Sequence, residues 1–332
     1  MVGMARYLAV DLGATKTRIA LCGQDRILDK IVFPTPKTGD NTTIAESIVA
    51  KAREKWSSIL DSVEAVGVAS IGPLDLRRGV IVKPPNLLFN EVKLLEPLER
   101  MLGKRVYVVN DAVAAAWGEK HFGSGRSFEN LLYVTLSTGV GGGVIVNNHL
   151  LLGKQGNAHE IGHIVVDYNS ELKCGCGGYG HWEAYVGGRN LPRVARWLLE
   201  RNPGLASGSL LAKRISIGEQ VTSIDIFTLY RSNDPLALEV VKQFIKATGA
   251  GLASAINSYD PEVVIIGGGV FINNIDILLE PIRREAERNI VTTPPLIQPT
   301  TLGDDVGLYG ALALVIEPPE ELLKLQSSIT TQ

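Results

Sequence analysis

Asp11-Leu12-Gly13-Ala14-Thr15-Lys16-Thr17 follows an apolar run, and its residue types suit a turn that holds phosphate. Glycine permits the tight reversal, successive backbone N–H groups can cradle phosphate oxygens, and Thr15 adds a hydroxyl donor. Asp11, at the end of the expected strand, has the chemistry to hold a magnesium ion through water. An ordinary hairpin with a solubilising aspartate would carry the same residues, and the spacing of a Walker A loop is absent. Ser137-Thr138-Gly139-Val140-Gly141-Gly142-Gly143 repeats the plan. Two such turns on opposing lobes could grip a triphosphate from both sides. Gly267-Gly268-Gly269, directly after a buried-type run, offers a surface without side chains that suits adenine or ribose. Its spacing is not that of a dinucleotide fingerprint.

Asn110-Asp111 closes another expected strand, where open α/β sheets place their reactive groups. Asp111 suits a general base acting on a hydroxyl, and equally a helix N-cap; the two roles are compatible. His159-Glu160-Ile161-Gly162-His163 formally matches the H-E-x-x-H zinc-protease motif, but Gly162 interrupts the helix that this chemistry requires. Cys174-Gly175-Cys176 with His181 offers three soft ligands, and His163 is the natural fourth of a tetrahedral zinc site. Two free thiols in a loop are the alternative. Glu160 and Glu183 flank this cluster; with Asn86 and Asn110 they make a mixed acceptor and amide set suited to a polyol.

The elements that must position these groups alternate in type. Strands are expected at 6–12 and 17–22, a helix at 42–62, strands at 64–71 and 79–83, a helix at 91–102, a strand at 105–109 and an alanine-rich helix at 112–122. A second hairpin follows, with strand 131–137, turn 138–143 and strand 144–148. Residues 153–190, rich in Gly, Cys and His, read as a loop-built site. Helices are then expected at 189–201, 225–231, 235–258, 275–289 and 307–316, with strands at 262–267 and 296–301. The repeated strand, Gly/Thr turn, strand unit indicates two related halves and an α/β fold of two lobes. We expect a small lobe of residues 1–111 joined by a returning 312–332, and a large lobe of 112–311 holding the Cys/His loop.

Composition narrows the function classes. Lysine and arginine at 33 against aspartate and glutamate at 35 leave a net charge of −2, without the basic surplus of a nucleic-acid binder. Three cysteines rule out a disulfide scaffold and indicate a reducing, cytoplasmic setting. Neither a signal peptide nor an apolar run approaching the ~20 residues of a membrane span is present.

With these motifs assembled, the sequence resembles the ROK family of sugar kinases and repressors, within the actin, Hsp70 and hexokinase ATPase superfamily. The carriers are DLGATKT at 11–17, ND at 110–111, STGVGGG at 137–143, HEIGH at 159–163, CGCGGYGHWEAYVGG at 174–188 and PEVVIIGGGV at 261–270. The resemblance implies a duplicated actin-like, ribonuclease H-like fold with a five-stranded mixed sheet in each lobe and a central cleft. It implies an ATP-dependent hexokinase, with glucose the default hexose and Asp111 the base for its 6-hydroxyl. Gly72, Asn86, Asn110, Glu160, His163 and Glu183 are then sugar contacts. Asp11, Gly13, Thr15, Lys16, Thr138 and Gly139 lie on the phosphate and Mg2+ side, and Gly268 and Gly269 on the adenosine side. A structural Zn2+ and a homodimer are also implied. One departure stands out: His181 takes the position of the family's usual third cysteine, and imidazole can substitute for thiolate there. A repressor of the same family would carry a helix-turn-helix ahead of the first turn, where only ten residues precede Asp11. An actin-like ATPase would need neither HEIGH nor the cysteine loop.

Overall fold

Tight hairpin pairing sets up the first sheet. In the computed structural model, which describes residues 5–84 and 87–326, β1 (Arg6–Leu12) pairs antiparallel with β2 (Lys16–Cys22), and β3 (Ile27–Pro34) extends the ribbon. Six of the seven β1 residues are buried, as a strand covered on both faces requires. Helix α1 (Thr43–Leu60) leads to β4 (Val63–Ser70), which pairs parallel with β1. Three short strands, β5 (Leu74–Asp75), β6 (Val80–Val82) and β7 (Glu91–Lys93), make a small separate sheet. Helix α2 (Leu95–Leu102) returns to β8 (Arg105–Asn110), parallel to β4, and α3 (Asp111–His121) follows without a break.

The second sheet uses β9 (Leu131–Leu136), β10 (Val140–Val146) and β11 (His149–Leu150). Helices α4 (Trp182–Val186), α5 (Leu191–Arg201), α6 (Leu210–Ser216), α7 (Ser223–Arg231) and α8 (Pro235–Tyr259) come next. β12 (Val263–Gly267), α9 (Gly269–Ile272), α10 (Ile275–Glu287), β13 (Leu296–Pro299), α11 (Val306–Ile316) and α12 (Glu320–Gln326) complete the chain. The strand orders are β3-β2-β1-β4-β8 and β11-β10-β9-β12-β13. Counted within its own sheet, each reads third, second, first, fourth, fifth. The twin hairpins therefore mark two copies of one α/β plan, the actin-like arrangement. No helix among the described residues is long and apolar enough to cross a membrane.

The described residues fall into two compact units, the first drawn from Met1–Tyr133, Gly143–His159 and Thr300–Gln332, the second from Val134–Gly142 and Glu160–Pro299. This differs from the expected cuts after residues 111 and 311. Helix α3 packs on α11, and α11 packs on β1 and β4, so both helices belong to the first unit. Glycines make this possible. A Cβ on Gly310 would collide with the Ala114 carbonyl, and one on Gly118 would come 2.7 Å from the Gly310 nitrogen. Gly310→Ala would gain about 1 kcal/mol of helix propensity. The clash is with backbone, which no rotamer change relieves, so overpacking of about 1–3 kcal/mol or more should dominate. Thermal melts should show this variant clearly less stable than the parent; an unchanged or raised Tm would contradict the close helix crossing.

In the second unit, α8 is the support for the functional loop. The Asp234 carboxylate caps it, accepting the Leu236 and Ala237 N–H groups. Midway along, Gly251 leaves room for the Trp182 indole, which is fully buried. Burying such a ring contributes about 4–6 kcal/mol of gross transfer free energy. It fixes the start of α4, and hence Glu183.

Candidate active site

In the first unit the β1–β2 turn is rigidly braced. Gly13 N–H donates to the Lys16 carbonyl at 3.1 Å, the Thr35 hydroxyl to the Gly13 carbonyl at 2.7 Å, and Thr35 N–H to the Thr15 carbonyl at 3.0 Å. The Lys37 ammonium sits on the Ala14 carbonyl. Thr15 and Lys16 are left exposed at the tip. Asp11 lies directly across the hairpin from Arg18, whose guanidinium binds its carboxylate and the Asp304 carbonyl. Arg18 also lies 3.8 Å from Asp305. Burial pushes the Asp11 carboxyl above the usual carboxylate range, and Arg18 pulls it only part of the way back.

A raised carboxyl pKa means that the neutral form is favoured in the folded state. The resulting stability is complete below about pH 4 and is lost as pH rises through the raised value. The stability of Asp11→Asn relative to the parent should therefore grow between about pH 4 and neutrality. Paired melts across that window test this, and a pH-independent difference would contradict it.

Asn110 and Asp111 divide two tasks. Asn110 ends β8 opposite Ser70 of β4, and its Oδ1 caps α3 by accepting N–H groups from Ala112 at 2.9 Å and Val113 at 3.4 Å. Asp111 is thus the first helical residue, not the cap; its Oδ1 accepts the Ala112 N–H at 2.8 Å. A carboxylate there meets the positive end of the helix. Gly72 lies at the same sheet edge, where a Cβ would approach Asn110 Nδ2 to 3.5 Å. Asn86 lies outside the described residues.

The second unit carries a Gly/Thr turn of its own. The β9–β10 turn is tied to the segment after α4: Gly188 N–H donates to the Ser137 carbonyl at 2.8 Å and Arg189 N–H to the Thr138 carbonyl at 3.3 Å. Beside this turn is a cavity of about 530 Å3. Ser137, Thr138 and Gly269 line it with an apolar side of Val221, Ile224 and Phe227, and Arg189 is its one charged lining residue. Gly268 has φ +90° and lies against the Leu136 backbone, so its glycine identity follows from close approach as well as conformation. A partly apolar cavity of this size with a Gly/Thr turn at one side can take a purine nucleotide.

Ile161–His163 forms a single three-ten turn, not an α-helix, and the His159 ring is buried, 2.9 Å from the Gly156 carbonyl. The protease geometry is not formed. His163, Cys174, Cys176 and His181 instead converge, with ligand atoms within 4.8 Å of one another. Cys174 Sγ is 3.8 Å from His163 Nδ1, and Cys176 Sγ is 3.3 Å from His181 Nδ1. Zn–S and Zn–N bonds of about 2.3 and 2.0–2.1 Å in a tetrahedron ask for ligand separations of this size. The donor set therefore fits zinc. Gly177 at φ +99° allows the Cys174–Gly178 reversal that brings the sulfurs together. Burial pushes the Cys174 thiol up to about 12 and the His181 imidazole down, with His163 adding to the latter. His163 Nε2, the nitrogen turned from Cys174, lies 3.4 Å from Glu160.

A family model described as ROK family matches residues 7–318. The chain belongs to the ROK family. This ROK chain is 39% identical over 322 residues to the glucokinase of Pyrobaculum calidifontis, covering 97% of itself and 98% of that protein. It is 40% identical over 328 residues to the glucokinase of Aeropyrum pernix, covering 96% and 99%. The crystal structure of a ROK family glucokinase from Streptomyces griseus, in complex with glucose and AMPPNP, matches with a TM-score of 0.73 at 33% identity, covering 93% of this chain and 99% of that one.

Within this ROK chain, sequence reasoning missed Arg18 and Arg189. Arg18 was findable, because strands expected at 6–12 and 17–22 leave a turn of residues 13–16, which pairs position 11 with position 18. Arg189 had no such signal; its place beside Thr138 depends on a bend after α4.

Proposed function

We propose that this ROK protein transfers the γ-phosphoryl group of ATP to the 6-hydroxyl of glucose, with Asp111 as general base. The observation that carries the reading is the separation of duties at the end of β8: Asn110 caps α3, so the Asp111 carboxylate is positioned by the helix without serving as its cap. Asp111 accepts the proton of the attacking hydroxyl as its oxygen bonds to phosphorus, and the bond to the ADP oxygen breaks. Asn110, Glu160, His163 and Glu183 are the proposed hydroxyl partners of the sugar, and Gly72 and Asn86 are proposed as additional contacts. The glucokinase activity of the relatives supports glucose as substrate, and the glucose and AMPPNP complex of the Streptomyces griseus enzyme supports ATP beside it.

ATP enters as its magnesium complex. Asp11 is the proposed anchor for the ion; with Arg18 on its carboxylate, contact through water suits it better than a direct bond. Thr15, Lys16, Thr138 and Gly139 serve the phosphates, and Gly268 and Gly269 the nucleoside. Zinc, held by His163, Cys174, Cys176 and His181, would supply a structural cross-link for a loop with little core of its own. With one nitrogen on the metal, His163 would hold its ring so that the other meets a hydroxyl. A thiolate-rich site fits a reducing, cytoplasmic compartment. A homodimer is part of the same proposal, with sedimentation velocity as its check.

A coupled assay over a panel of hexoses and phosphate donors tests the whole. The expected result is ATP consumption that depends strictly on sugar, with glucose 6-phosphate as the product. ATP hydrolysis at the same rate without sugar would replace this reading with an actin-like ATPase.

A further inference from the structure

Glu183 touches more than a sugar contact needs to. Its Oε2 accepts the Val140 N–H at 3.0 Å, directly at the β9–β10 turn. Gly139 packs against the same carboxylate, where a Cβ would come 3.1 Å from Glu183 Cδ. The Glu183 backbone carbonyl accepts the Gly187 N–H at 2.9 Å and the Asn190 side-chain amide at 2.9 Å. That fixes the 187–190 bend, whose Gly188 and Arg189 N–H groups hold the Ser137 and Thr138 carbonyls. Side chain and main chain of one residue thus grip the phosphate-side turn from two directions. The other carboxylate oxygen, Oε1, faces the metal loop, 3.7 Å from Cys174 Sγ.

The geometry points to Glu183 as a positioning residue that couples sugar binding to the nucleotide turn. This rests on the proposed function, in which Glu183 meets the sugar and Thr138 and Gly139 meet phosphate. A carboxylate that accepts a sugar hydroxyl while holding Val140 N–H transmits any displacement of one partner to the other. The bond to Val140 is charge-assisted, and the peptide N–H it satisfies belongs to the residue next to Gly139. A sugar that orders Glu183 removes conformational freedom from the turn before the nucleotide arrives, and the reciprocal effect must be equal in free energy.

The test measures binding of a nonhydrolysable ATP analogue, with and without glucose, to the whole protein and to Glu183→Gln and Glu183→Ala. In the parent, glucose should tighten analogue binding by a factor within about 5- to 150-fold. Glu183→Ala should weaken analogue binding even without sugar and abolish the tightening. Glu183→Gln retains an acceptor for Val140 N–H, so it should keep most of the sugar-free analogue affinity although glucose binding falls. A mere sugar ligand would leave sugar-free analogue affinity unchanged in both variants, and that result overturns the coupling. Equal losses in both variants would also overturn it, since the retained acceptor would then count for nothing. If Glu183→Ala does not fold, Glu183→Met, which fills similar space without a carboxylate acceptor, takes its place, and unchanged Val140 amide protection together with unchanged sugar-free analogue affinity in that variant overturns the coupling. Failure of the parent to bind glucose or the analogue would instead defeat the proposed function.

Discussion

Asp111→Ala should lower kcat by roughly 100- to 10,000-fold, the usual contribution of a positioned general base. In free energy that is about 3–5 kcal/mol of transition-state stabilisation. The fold should hardly notice. The Ala112 N–H that Asp111 accepts is also bonded to Asn110 Oδ1 at 2.9 Å, so the helix end remains capped. Asp111→Asn sharpens the comparison, because it keeps the size and the acceptor oxygen but cannot take a proton. Glucose affinity should change little in either variant while kcat falls in both. A kcat within a few-fold of the parent in Asp111→Asn would remove Asp111 from the chemistry. Equal losses in Tm and kcat would reassign it to helix stability.

The second large effect concerns the metal. Purified protein should contain one zinc per chain, and Cys174→Ser should contain almost none. If free zinc exceeds the dissociation constant a thousandfold, loss of binding costs about 4 kcal/mol of stability. The damage should be local as well as global. His163 Nε2 stands 3.4 Å from Glu160, and Cys174 Sγ stands 3.7 Å from Glu183, so loosening the loop disturbs three proposed sugar partners together. Glucose binding should therefore weaken more than nucleotide binding. Thiol alkylation gives an independent view. Cys176 is exposed and should become reactive once a chelator removes zinc. Cys22 is buried with its thiol pushed up to about 12, and should stay inert until global unfolding. Protein free of zinc, with a melt and an alkylation pattern indifferent to chelator, would sink the metal assignment.

The parts of the fold with a strong periodic signal were legible in the residues. RYLAVDL and LLYVTLS announced the two hairpins, and the Pro235–Tyr259 helix was expected almost in full. What escaped had no such signal. β3 is an edge strand whose residues are mostly exposed, so ILDKIVFP shows little inward-facing alternation. β5 and β7 are two and three residues long, too short for any period to show, whereas β6 falls inside the strand expected at 79–83. β7 also occupies the start of the helix expected at 91–102, which begins only at Leu95. Gly141, Gly142 and Gly143 read as turn but lie in β10. Gly143 is there because α3 presses on the strand; a Cβ would come 3.1 Å from Val113 Cα.

The site divides in the same way. The metal ligands were readable because three of the four lie within eight consecutive residues, Cys174 to His181. The choice between Asn110 and Asp111 as helix cap was not, since both residue types cap well and only backbone geometry separates them. The Glu183 bond to Val140 joins residues 43 apart and carries no sequence pattern.

The order in which this chain is made bears on how its first unit comes together. Helix α11, which rests on β1 and β4 and crosses α3, leaves the ribosome well after all three. Until it arrives, the apolar wall formed early in translation stands bare, while Glu160–Pro299 can already have collapsed on its own contacts. A nascent chain stalled before Val306 should accordingly recruit a holdase chaperone and be cut by protease within β1 to β4, and release of the remaining segment should end both.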